Sequence, residues 1–128
     1  MGVLNALFEN FHWVLYVCGV LTATMFLQAI SPVAVMERTY GSAPTDPNGL
    51  MLARHWGLMV GLSGLLLIGA GMFPEIRSAV LWFAIIGKGG YAYMILRRFE
   101  ELQGKPAIMN AMVDVIMILL FIAYLAGT

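Results

Sequence analysis

Four stretches of twenty or more mainly apolar residues, joined by short connections, dominate this chain. They run from about 12 to 36, 50 to 73, 76 to 96 and 107 to 126. A helix rises about 1.5 Å per residue, so roughly 20 such residues cross the ~30 Å hydrocarbon layer of a bilayer. Lipid offers no partner to bare backbone groups, and these runs are too long for barrel strands, so each must be a helix. The expected fold is all-α: an integral membrane four-helix bundle, up-down-up-down, forming one transmembrane domain over residues 1–128. Composition agrees. Apolar residues make up 61% and charged residues 11%, too few charges for the polar shell of a soluble domain. Seven Lys/Arg balance seven Asp/Glu, so no basic excess points to nucleic acid. The partners implied are the lipid bilayer and other membrane helices. Cys18 is the single cysteine, which excludes an internal disulfide, a thiol pair or a thiolate metal cage.

Punctuation marks the ends of the spans. Asp46-Pro47 reads as an N-cap followed by proline in the first helical position. Phe73-Pro74-Glu75 closes one helix and opens the next, with a carboxylate in the favourable first turn. Gly104 suits a helix end and Pro106 a helix start. Ser31-Pro32 should kink the first span, because proline lacks the amide donor. The N-terminal stretch has no Lys or Arg before Arg38 and is too long for a signal core, so it reads as a retained span. No internal repeat of the transporter kind is seen.

Orientation follows the distribution of basic residues in short loops. The first and third connections carry Arg38, Arg54, Arg97, Arg98 and Lys105, against Arg77 alone on the other side. Both termini are therefore expected outside, with the first and third loops in the cytoplasm.

Ionisable residues inside a span are costly, which makes each a functional candidate. Lys88 lies nine residues before Arg97, and Asp114 lies nine after Lys105. Both helices run to the same loop, so both groups lie about 13 Å below it. Equal depth and opposite charge predict a buried Lys88–Asp114 pair. Gln28 falls at similar depth, Tyr91 shares a helix face with Lys88, and Asn110 shares one with Asp114. These residues suggest a polar layer under a rim of Arg54, His55, Glu37 and Arg38. A buried pair of this kind serves either as a lock between helices or as a ligand, ion or proton site. Arg54 and Arg97 read as headgroup anchors first and ligand contacts second. His12 and His55 begin spans at opposite faces, too far apart to share an iron. No metal-ligand spacing occurs and no cofactor is implied.

Small residues predict close helix packing. Gly57 and Gly61 form a GxxxG, continued by Gly64, and Gly87, Gly89 and Gly90 flank Lys88. These faces serve contacts within the bundle or between protomers. Trp13, Trp56, Tyr40, Tyr93 and Tyr124 read as interface anchors. The ten methionines read as adaptable packing.

Several short motifs resemble a known family. They are Ser31-Pro32, Tyr40-Gly41, Arg54-His55-Trp56-Gly57 and the run from Gly61 through Ser63-Gly64 to Ile68. Pro74 and Arg77 follow, then the single Lys88 and Asp114 in the last two spans. Together, over roughly residues 31–125, they resemble the DoxX-like group of small bacterial four-helix membrane proteins. That resemblance implies a bacterial inner-membrane location and little chemistry. Four-helix multidrug transporters are similar in size but need a carboxylate deep in the first span, and none lies between His12 and Met36.

Three functions are compatible with these residues. The first is a non-catalytic subunit that packs with copies of itself or within a larger membrane complex, its polar layer able to take a small or lipid-like ligand. The second is a carrier or channel that handles a proton or small anion through Lys88 and Asp114. The third is an enzyme acting on a lipophilic substrate, with Lys88, Asp114, Tyr91 or His55 as acid–base groups. No nucleophile with an adjacent base is evident, which ranks the enzyme last.

Overall fold

A computed structural model describes residues 2–127, apart from the side chain of Leu4. Eight helices follow one another: α1 (Gly2–Glu9), α2 (Phe11–Ala23), α3 (Phe26–Ile30), α4 (Pro32–Tyr40), α5 (Pro47–Met72), α6 (Pro74–Arg97), α7 (Phe99–Leu102) and α8 (Pro106–Ala126). No strand occurs among the described residues. Four helical segments are long and apolar enough to cross a membrane: Phe11–Ile30, Pro47–Met72, Pro74–Arg97 and Pro106–Ala126.

The first segment departs from its expected bounds of 12–36. It stops at Ile30, and Pro32 does not kink a continuing helix but opens a separate one. Ser31 leaves helical geometry at φ −133°, ψ 70°, as a residue preceding proline tends to do. A second interruption falls at Thr24-Met25, where the amides of Met25, Leu27 and Gln28 reach back three residues rather than four. Neither Pro nor Gly marks this site, so nothing local announced it.

Proline occupies the first turn of α4, α5, α6 and α8, where its missing amide costs nothing. The Asp46 carboxylate accepts from the Gly49 amide at 2.8 Å and caps α5. Gly41 and Gly104, at φ 87° and 82°, take the left-handed turns after α4 and α7. Each broken helix end leaves carbonyls without amide partners, and in two cases an arginine from the next long helix supplies them. Arg54 Nη1 donates to Ala29 O at 2.9 Å and Ile30 O at 3.3 Å. Arg77 donates from Nε to Ala70 O at 2.9 Å and from Nη2 to Gly71 O at 3.2 Å, while its Nη1 reaches the Tyr124 hydroxyl at 3.2 Å.

Glycines let α2 and α3 lie directly on α5. A Cβ on Gly64 would come within 2.6 Å of Gly19 O, one on Gly61 within 2.7 Å of the Phe26 ring, and one on Gly57 within 2.7 Å of the Ala29 amide. These three glycines therefore serve contacts inside the chain, and the contacts step in opposite directions along the two segments. Gly87 and Gly90 behave otherwise. A Cβ on either would meet nothing within 4 Å, and one on Gly89 only Ile118 at an ordinary 3.9 Å. The expected packing role of the α6 glycines has no counterpart within the chain.

Two apolar clusters fill the interior. One joins Phe11, Leu15, Leu67, Leu81, Met117 and Phe121, with smaller residues between them. The other joins Ala92, Ile95, Leu102, Ala107 and Ala111. Along α6 and α8 the interval between the clusters holds Lys88 and Asp114.

Candidate functional site

The site is built where three segments meet. Lys88 follows the buried Ala84 by one turn of α6, and Asp114 precedes the buried Met117 on α8. Small neighbours at Ala84, Ala92 and Ala111 let the two helices approach closely enough for the side chains to touch. Lys88 Nζ lies 3.0 Å from Asp114 Oδ1. The same ammonium donates to Thr22 Oγ1 at 2.9 Å, and the Thr22 hydroxyl donates in turn to Cys18 O at 2.8 Å. The order of donation runs from ammonium to carboxylate and hydroxyl, and from that hydroxyl to the carbonyl one turn back. The Lys88 and Asp114 side chains are 10% and 17% exposed.

A second group lies toward the loops. The Tyr40 and Tyr91 hydroxyls are 3.0 Å apart in a hydrogen bond. Trp56 stacks on Tyr40 with ring centres 6.2 Å apart and planes 26° from parallel, and it lies 5.9 Å from the Tyr91 ring. The Asn110 side chain lies beside Tyr91. Burial, and then the bond to Tyr91, push the Tyr40 phenol above its ordinary range.

The remaining candidates are employed elsewhere. Gln28, 1% exposed, spends its amide on Ala53 O at 3.0 Å, fastening α3 to α5. Arg54 caps the end of α3 and does not face the pair. His55 is exposed on α5, so the rim expected from Arg54 and His55 is not assembled around Lys88 and Asp114. The structure thus brings together Lys88 with Asp114, and Tyr91 with Asn110, and leaves Gln28, Arg54 and His55 apart.

Sequence reasoning missed Thr22, Tyr40 and Trp56. Thr22 had a usable signal, since its hydroxyl is one of few polar groups at the depth of Lys88. Tyr40 had none, because its partner Tyr91 is 51 residues away.

No group of three or more potential metal ligands occurs among the described residues. Of the concavities on the bundle, one is lined by Trp82, Ile122, Leu125 and Ala126 and another by the Leu96–Glu101 stretch. Neither is lined by the ion pair. The chemistry available at the site is charge pairing and hydrogen bonding along a short directed chain. No family model matches this protein, and no match is found among curated proteins or among solved structures.

Proposed function

We propose that this protein is a non-catalytic subunit of a membrane assembly, either an oligomer of itself or an accessory chain of a larger complex. In this reading the chain is one transmembrane domain, up-down-up-down, with both termini outside and the first and third loops in the cytoplasm. The excess of Arg and Lys in those loops supports that orientation. The motifs between Arg54 and Ile68 support a likeness to the DoxX-like group, which implies the bacterial inner membrane.

One observation carries the subunit reading. The charges inside the spans pair with each other, Lys88 with Asp114, while the outward surface is apolar on each span. Val17, Leu21, Leu62, Ile86, Met94 and Ile116 are all exposed. With short loops and internally paired charges, helix surfaces are what the chain offers a partner. Lys88 and Asp114 then act as a lock that fixes the register of α6 against α8 and α2.

Extraction in mild detergent tests this reading. Light scattering should give a defined mass above that of one chain, or mass spectrometry a stoichiometric partner. A monodisperse single chain with no partner would overturn it. A second reading, a carrier or channel working through the same pair, draws on the incomplete burial of both charges. Proton or anion flux into liposomes, abolished in Lys88→Met, would favour it over the lock.

A further inference from the structure

Asp114 uses half of its carboxylate inside the bundle. Oδ1 accepts from Lys88 at 3.0 Å, and no hydrogen bond to Oδ2 is present. Among the described residues no buried side-chain nitrogen or oxygen lacks a partner. Oδ2 therefore reaches the surface of the bundle, in keeping with the 17% exposure of the side chain.

The neighbours on α8 give the direction in which that surface opens. One turn before Asp114 stands Asn110, which is exposed and lies beside Tyr91. Tyr91 in turn holds Tyr40, the last residue of α4 before the loop. Asp114 lies eight residues beyond Pro106, about 12 Å below the start of α8. Polar atoms mark each step of that descent. In the other direction the next residues are Met117 and Phe121, 4% and 0% exposed, packed with Phe11, Leu15, Leu67 and Leu81, none above 1%. No side-chain polar group of these residues offers water a partner, and water enters a site only where two or more are within reach. The polar path ends at Thr22, whose proton is already committed to Cys18 O.

We infer that water and small polar solutes reach the Lys88–Asp114 pair from the end of the bundle that carries Tyr40 and Gln103, and from that end alone. Asp114 Oδ2 is then a one-sided binding site for a small neutral hydrogen-bond donor, water in chemical class. The free atom is an acceptor, and the Lys88 ammonium 3.0 Å from its sister oxygen balances the carboxylate charge, which favours a neutral donor over a second cation. This inference rests on the membrane reading and is independent of the subunit role, which is tested by mass and not by access.

Thiol labelling in sealed vesicles tests it. Asn110→Cys and Asp114→Cys are made in a Cys18→Ser background, and Gln103→Cys reports the side on which the loop lies. The probe is a thiosulfonate bearing a trimethylammonium group, which does not cross membranes. Asn110→Cys and Asp114→Cys should react from the side that labels Gln103→Cys and not from the other. Native Cys18 in the unaltered protein should stay unmodified. If Asp114→Cys fails to fold, Asp114→Cys combined with Lys88→Met removes the stranded charge and takes its place. Labelling of position 114 only by an uncharged, lipid-soluble maleimide would mean that the site opens to acyl chains. Labelling from the opposite side, or modification of Cys18 by the charged probe, would mean that the apolar plug does not seal. Each of these results overturns the inference.

Discussion

Replacing Lys88 by Met should be more damaging than replacing Asp114 by Leu. Asp114 has one hydrogen-bond donor, Lys88, at 3.0 Å. Its removal strands a carboxylate. Removal of Asp114, by contrast, leaves the ammonium with Thr22 Oγ1 at 2.9 Å. Breaking a fully buried pair in a soluble protein costs about 3–5 kcal/mol. Hydrogen-bond couplings measured within membranes average about 0.6 kcal/mol and reach about 1.7. With the two side chains 10% and 17% exposed, the single losses should fall between these limits, at roughly 2–3 kcal/mol. The surviving bond to Thr22 should spare Asp114→Leu about 1 kcal/mol of that. The double variant removes both charges and should recover much of the loss, with a coupling energy of about 1–2 kcal/mol. Equilibrium unfolding in mixed micelles of mild and denaturing detergent, run on both single variants and the double, measures all three quantities. Strictly additive losses would mean that the two side chains do not interact. Asp114→Leu proving worse than Lys88→Met would refute the role given to Thr22.

Other expectations follow from the same contacts. Gly64→Ala would drive a methyl group to 2.6 Å from Gly19 O and against the Ala23 backbone, so its unfolding midpoint should drop. Gly90→Ala meets open space and should match or exceed wild type, by up to about 1 kcal/mol of helix propensity. Equal effects at the two positions would contradict the packing described here. Burial and the bond to Tyr91 hold the Tyr40 phenol above its ordinary value near 10.0. The folded protein thus keeps a proton that the unfolded chain has lost, so this stability is full below about pH 10 and falls as pH rises beyond it. Tyr40→Phe should flatten that alkaline loss in a midpoint-against-pH series, and parallel curves would exclude it. Cysteines introduced at 42–46 and 102–105, with Cys18→Ser, should be labelled from the cytoplasmic side, and labelling from outside would invert the proposed orientation.

Much of the architecture was legible because membrane burial imposes length on sequence. The second, third and fourth segments lie within three residues of their expected bounds. The first does not, since its end is decided by tertiary contact. Phe26 must lie over Gly61 and Ala23 against Gly64, and the backbone tightens at Thr24-Met25 with no Pro or Gly to mark it. The Lys88–Asp114 contact was readable as two charges at equal depth from a shared loop. Depth alone misassigned Gln28, because a side chain at the right level can still point to a backbone carbonyl, as it does at Ala53. The fate of Arg54 was hidden for a similar reason. Charge and position suggested a headgroup anchor, whereas the demand for its donors comes from a helix end 24 residues earlier.

That dependence has a consequence for synthesis. A nascent chain that has delivered the first segment to the bilayer still has bare carbonyls at Ala29 and Ile30, and the group that satisfies them emerges only with Arg54. The carbonyls of Ala70 and Gly71 wait in the same way for Arg77. Insertion one helix at a time would therefore leave an incomplete helix end in a poor solvent at each pause. Chains truncated after residue 50 and released from the ribosome should hold the first segment less firmly, by carbonate extraction, than released chains truncated after residue 75. Indistinguishable extraction would separate the two arginines from the insertion step and leave them a role in the finished bundle alone.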